Sequence, residues 1–386
     1  MISPTAPLFD LSIEGGTILH AATGEPTAAT IAVRDGLIAG IFPVDQIVEA
    51  ANIVDASGLL VTPGLIDLHT HVFSPNTDLA VAADSVGVDQ AVTTIVDAGS
   101  TGARDFDDFR TRVIEPTATQ VFSFINISST GLCDGLTELV RLEDAGTPEL
   151  HQLLNNEAHR SIRGIKARMS SSVVGANGVQ PLIIARKFAR EFSLPVMVHV
   201  GNQPPAYADV IDLLVEGDVV SHAFHGKTGG LFEGGTSISA AALRARDRGV
   251  LFDVGHGSAS FSFETLELAL DAGFAPDLSS TDLHNGNVNG PVFSLATTLS
   301  KLLAVGLPLA DVLGYATSNA AAVLGESRNL GTLRIGSIAD LSLLRLDQNP
   351  VEFTDSEGAT RVASRSISPV GAIRAGVDQR SAGVRS

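Results

Sequence analysis

From residue 61 to about 325, short apolar runs alternate with longer stretches whose apolar positions recur at helical spacing. The runs at 64–72, 92–98, 121–128, 162–169, 195–201, 218–224, 250–255 and 277–282 predict strands. Helices are predicted between many of them, as at 180–192 (QPLIIARKFAREF), 236–248 (TSISAAALRARDR) and 263–272. Eight strand–helix units over roughly 260 residues fit the α/β class as a (β/α)8 TIM barrel, here spanning 61–330.

The two ends of the chain follow another rhythm. Residues 8–60 read as short strands, with turn signals at Gly15-Gly16, Asp35-Gly36 and Ser57-Gly58. Strand patterns return at 331–347 and 367–377, and the last residues, QRSAGVRS, read as a frayed tail. The simplest arrangement joins residues 1–60 and 331–386 into one small β-sandwich domain beside the barrel.

Composition narrows the setting. No apolar stretch approaches the ~20 residues of a membrane helix. The start, MISPTAPLFDLSIEGG, has neither a basic n-region nor a long apolar core, so no secretory signal is expected. A single cysteine, Cys133, excludes an intramolecular disulfide and fits a cytoplasmic protein. The net charge of −18 argues against nucleic acid and anionic membranes as partners and says little more than that the protein should be soluble. Only four of the 25 basic residues are lysines (Lys166, Lys187, Lys227 and Lys301), so a lysine on a buried strand stands out.

The strand ends carry the chemistry. His69 and His71, in LIDLHTH, are two apart and face one side of a strand, where both imidazoles can reach one cation. Lys166, in GIKARMS, sits on a buried run. There its amine either pairs with an acid or stays neutral and takes up carbon dioxide as a carbamate, an anionic ligand able to bridge two metals. His199 (VMVHVG) and His222 (VVSHAF) close successive strands, at the face where barrel active sites lie. Asp282 (SSTDLH) ends the eighth, able to bind a metal through one oxygen and take a proton through the other.

These residues together resemble the amidohydrolase superfamily, in its binuclear branch with a carboxylated lysine. PGLIDLHTH, GIKARMS, VHVG, SHAF and STDLH are similar to its strand-end motifs, and ATSNAAAVLG followed by GTLRIGSIADLSLL to its closing signature. The resemblance implies two divalent metals, zinc in most members of the branch. His69, His71 and Asp282 would hold the more buried ion and His199 and His222 the more exposed one, with the carbamate of Lys166 and a hydroxide bridging them. It implies attack by that hydroxide on a polarised carbonyl, with Asp282 as the catalytic proton carrier. A homo-oligomer is implied as well.

Substrate class is less sharply marked. Dihydroorotases place an arginine two residues after the second histidine, where this chain has Phe73. GIKARMSSSVVG and SHAFHGKTGG look most similar to the amidohydrolase/deacetylase metallohydrolases, which implies cleavage of an acyl, typically acetyl, amide or ester of a small carboxylic acid. A hydantoinase-type cyclic-amide hydrolase and a non-catalytic barrel are the alternatives. Arg168, two residues beyond Lys166, either holds a substrate carboxylate or sits in a salt bridge. His225, His256 and His284 follow strands closely and are further candidates for substrate contact; Asn202, Tyr207 and Cys133 are weaker ones.

Overall fold

The computed structural model describes residues 8–19, 24–74, 76–156, 159–232 and 234–380. The first seven residues and the end of the predicted frayed tail, from 381 onward, lie outside the described residues.

Seven parallel strands lie side by side in chain order: Leu65–Thr70, Val92–Ala98, Gln120–Asn126, Ile162–Met169, Val196–Val200, Val219–Ser221 and Leu251–Phe252. The first two are buried at every position, as a sheet covered by helices on its outer face and packed within requires. Glycine permits the tightest approach: a Cβ on Gly64 would lie 2.1 Å from Thr93 Oγ1. Between the fourth and fifth strands runs helix Gln180–Phe192, with Pro181 in its first turn and Ser193 in a left-handed conformation ending it. Leu182, Ala185 and Ala189 form its buried stripe.

Residues 277–282, predicted as a regular eighth strand, differ from that expectation. Segment 278–283 is irregular, yet it joins the two edges of the sheet. On one side Leu278 O, Ser280 O and Thr281 O accept from Val254, His256 and Gly257 backbone N–H groups at 3.1, 3.1 and 2.9 Å. On the other, Asp282 N–H donates to His69 O at 2.7 Å and His71 N–H to Leu283 O at 2.9 Å. Asp67 pins the segment, accepting from Thr281 Oγ1 at 2.6 Å and from its N–H at 3.1 Å. Regular pairing stops because Asp282 turns left-handed (φ 54).

Among the described residues Val351–Thr354 pairs with Thr360–Ala363 in a separate hairpin, and eight of the terminal strands form one sheet. Its order is Val377–Asp378, Ser366–Arg374, Leu341–Asp347, Leu60–Pro63, Phe9–Leu19, Pro26–Arg34 and Leu37–Pro43, with Ala50–Asp55 also paired to Phe9–Leu19. Both chain ends thus share one core, containing Leu11, Ile13, Val33, Leu341, Leu343 and Ile373. Three expectations shift. Leu60–Pro63 pairs with Leu341–Leu344, so the boundary drawn at residue 60 falls inside this sheet. The strand read at 331–347 covers only Leu341–Asp347. Gly15-Gly16 is not a turn but a bulge within one long strand, Gly15 taking φ +73 where the register shifts. Among the described residues no helix is long and apolar enough to cross a membrane.

Leu343 is fully buried in the strand that links the two ends of the chain. Leu343→Ala should lower the unfolding free energy by about 2–5 kcal/mol in denaturant titration. A loss below about 1 kcal/mol would show that the terminal sheet does not share the cooperative core.

Candidate metal centre

The first strand ends in the pair that its spacing predicts to share a face, and it does: His69 Nε2 and His71 Nε2 lie 3.2 and 3.1 Å from Asp282 Oδ1. His222, just past the short sixth strand, brings its Nε2 to 3.8 Å from Asp282 Oδ2. Like Asp282 it is left-handed (φ 63), a strained conformation that turns the side chain inward at the strand end. His199, on Val196–Val200, packs edge-on against His222 with ring centroids 4.4 Å apart. Lys166 Nζ stands 2.9 Å from His69 Nε2 and 3.4 Å from Met197 Sδ. All six predicted ligand residues are therefore gathered at one end of the parallel sheet.

Hydrogen bonds behind the ring decide which nitrogens face inward. Ser221 Oγ donates to Asp253 Oδ2 at 2.9 Å and so accepts from His69 Nδ1–H at 2.8 Å, leaving a lone pair on His69 Nε2. His71 Nδ1 meets Ser100 Oγ at 2.9 Å, and His222 Nδ1–H donates to Gly255 O. His222 Nε2 is then a buried acceptor with no hydrogen-bond partner among the described residues. Ligand atoms of His69, His222 and Asp282 all fall within 4.8 Å of one another. Imidazole lone pairs and a carboxylate converging in a buried space are what a divalent cation fits, and the donor types suit zinc.

The electrostatics agree with that fit. Burial and the Lys166 charge hold His69 well below its ordinary value; burial and His222 do the same to His199. Burial takes His222 down to about 3. Neutral imidazoles are the ligating form. Asp282 is held well below the ordinary carboxylate range: burial pushes it up, but attraction to His69, His222 and His71 in their protonated forms and a hydrogen bond with His71 outweigh it. Burial brings the Lys166 amine down to about 7.

The candidate substrate contacts separate into distinct settings. Arg168 Nη1 donates to both oxygens of buried Glu138, at 3.0 and 3.3 Å, so its charge is already matched. His256 is enclosed: Nδ1–H donates to Gly257 O at 2.9 Å and Nε2 accepts from Lys301 Nζ at 2.7 Å. His284, half-buried, touches Ser258 Oγ at 3.2 Å and has its ring 6.5 Å from that of His71. His225 is buried beside Gly230. Cys133 is a thiol pushed by burial up to about 12, resting against Ser100 O at 3.6 Å. Tyr207 is buried in helix Tyr207–Ile211, while the Asn202 carbonyl accepts from Ser171 N–H at 2.9 Å. Phe73 faces the core, its ring 5.1 Å from that of Phe109. Sequence reasoning missed Ser100, Glu138, Ser221, Asp253 and Lys301; only Asp253, an acid ending an apolar run (LFDVG), offered a visible signal.

Lys301, on helix Leu295–Ala304, is a second sealed amine, which also donates to Pro291 O at 2.7 Å. Burial lowers it from 10.5 to about 7. Between those values the unfolded chain holds a proton that the fold does not, so stability rises with pH across that window and is flat below it. Lys301→Met should reduce the slope of unfolding free energy against pH by about 1.4 kcal/mol per unit over that window. An unchanged slope would refute a depressed Lys301.

Comparison with known proteins places this geometry. A model of the amidohydrolase family matches residues 60–367. A deacetylase of Brucella anthropi is 37% identical over 349 residues, covering 89% of this chain and 86% of that protein. The solved structure of an adenine deaminase is 34% identical with a TM-score of 0.90, covering 96% of this chain and 99% of its own. That of a dihydroorotase is 34% identical with a TM-score of 0.86, covering 97% of each chain. The three carry different activity names at similar identity, yet they share one architecture. The chain belongs to the amidohydrolase family.

Proposed function

We propose that this protein is a metal-dependent hydrolase of acyl amides, with an acetyl group on a small carboxylic acid as the leading substrate and the corresponding ester as a variant of it. The observation that carries the reading is the convergence of His69, His71 and His222 on the Asp282 carboxylate, beside a sealed lysine amine. The deacetylase relative, similar over most of both chains, supports the substrate class. In this reading residues 64–330 form an eight-fold barrel carrying the site, and the two ends of the chain, with Leu60–Pro63 in their sheet, an accessory β-sandwich. The substrate is a small molecule, and copies of the chain assemble with one another in the cytoplasm.

His69, His71 and Asp282 would hold one divalent ion and His199 and His222 a second, zinc in both cases. Bound there, the ions supply Lewis acidity toward a carbonyl oxygen and bring the pKa of water down toward ~7. The protein's own groups do the rest. Lys166, with its amine held at about 7, is substantially neutral at physiological pH. A neutral amine adds to carbon dioxide, forming an N–C bond and releasing one proton, and the resulting carbamate places anionic oxygens where an ammonium would repel cations. Asp282 is kept ionised, so it can take the proton from the attacking water and return it to the leaving nitrogen as the C–N bond breaks. Ser221 holds the His69 imidazole in the ligating tautomer, and Ser100 orients the His71 ring.

Hydrolysis should be assayed with N-acetyl amino acids and O-acetyl hydroxy acids of both hands, alongside hydantoins and dihydroorotate. Turnover confined to the cyclic amides would replace the acyl reading with the hydantoinase-type alternative. Fewer than about one metal ion per purified chain would favour a non-catalytic barrel. Asp282→Asn should cut kcat by ~10²–10⁴ while much of the metal stays bound; wild-type rates would exclude Asp282 as proton carrier. Lys166→Ala should abolish turnover and lower metal content together, and full activity in that variant would refute the carbamate.

A further inference from the structure

Two donors on the loop after the sixth strand are not used by this machinery. His225 Nδ1 accepts from the Lys227 backbone N–H at 3.1 Å, so the ring proton sits on Nε2. That N–H is buried with no hydrogen-bond partner among the described residues. A buried donor without a protein acceptor is costly, and an acceptor from outside the chain would relieve that cost.

Lys227 is half-buried on the same loop, and its Nζ reaches Ser260 Oγ at 3.4 Å. Ser260 fixes where that ammonium stands. A Cβ built on Gly257 would lie 3.5 Å from Ser260 Cβ, 2.8 Å from Asp282 Oδ2 and 3.4 Å from His222 Cε1. One serine and one glycine therefore separate the Lys227 ammonium from two of the metal-ligating residues. Arg168, the cation that sequence spacing favoured for a substrate anion, is instead matched by Glu138 at 3.0 Å.

An N-acyl α-amino acid carries its carboxylate only two bonds beyond the scissile nitrogen, so the group that receives it has to stand close to the ligands of the reacting centre. Resting on the acyl-amide reading above, we propose that the Lys227 ammonium and the His225 Nε2–H receive the substrate carboxylate and make the enzyme selective for acyl acids over neutral acyl amides. Lys227 supplies the charge, and His225 a directed hydrogen bond from within the wall.

The test compares kcat/KM for an N-acetyl amino acid and for its primary amide in the wild type, Lys227→Met, Lys227→Arg and His225→Phe. A preference ratio separates recognition from folding, because partial misfolding lowers both rates alike. The wild type should favour the acid, and Lys227→Met should lower that preference roughly 10- to 100-fold, mainly through KM, with Lys227→Arg recovering part of it. His225→Phe should lower it to a smaller extent. An unchanged preference in Lys227→Met, or an equal loss on both substrates, overturns the inference and leaves the hydrolase reading intact. No hydrolysis of either compound by the wild type overturns the acyl-amide reading on which the inference rests.

Discussion

Closure of the parallel sheet by residues 278–283 is the constraint on which the site depends. The segment has to bond backwards to 254–257 and forwards to 69–71, and those are the stretches that end in the Gly255–Gly257 turn and the His69/His71 pair. Asp282 lies inside this joint. Its N–H is spent on His69 O, so its side chain has nowhere to go but over the strand end, onto the two imidazoles. Architecture and chemistry share the same few hydrogen bonds, and a change that opened the sheet edge would also dismantle the carboxylate–imidazole cluster.

The same joint holds the strain and the buried polarity that such a site needs. His222 and Asp282 both keep left-handed backbones, and each is fastened by a bond on its neighbours: Gly255 O for the first, His69 O for the second. Behind them, Asp253 accepts from Ser221 Oγ and Ser280 Oγ at 2.9 and 2.6 Å, tying the sixth strand to the closing segment. Residues of this kind persist only where surrounding structure over-determines them, and they concentrate at functional positions. Among the described residues a buried amine beside a buried imidazole occurs twice, at Lys166 with His69 and at Lys301 with His256. The first faces the carboxylate cluster, whereas the second braces the Gly255–Gly257 turn from behind.

Much of this was legible in the chain because it is written locally. Strands Val92–Ala98 and Ile162–Met169 and helix Gln180–Phe192 lie where the apolar pattern predicts them, since continuous burial leaves an unbroken mark. The six candidate ligand residues were legible for a similar reason: each lies in or at the end of such a run, and strand order alone brings them to one end of the sheet. What escaped depends on partners far away in sequence. Glu138 meets Arg168 across 30 positions and Lys301 meets His256 across 45, so neither pairing leaves a local trace. Gly15-Gly16 reads as a turn because a bulge and a turn ask the same left-handed freedom of glycine. Phe73 stands where dihydroorotases are said to carry an arginine, and its side chain belongs to the core; its position in sequence could not reveal which way it points.

A two-ion centre bridged by a carboxylated Lys166 is the core of the proposed function. Anomalous diffraction from crystals of the purified protein, recorded on either side of the zinc edge, tests it most directly. Two ion peaks are predicted, one on His69, His71 and Asp282 and one on His199 and His222, with continuous density extending beyond Lys166 Nζ between them. A single peak or none, with Lys166 ending at a free amine against His69, would contradict it.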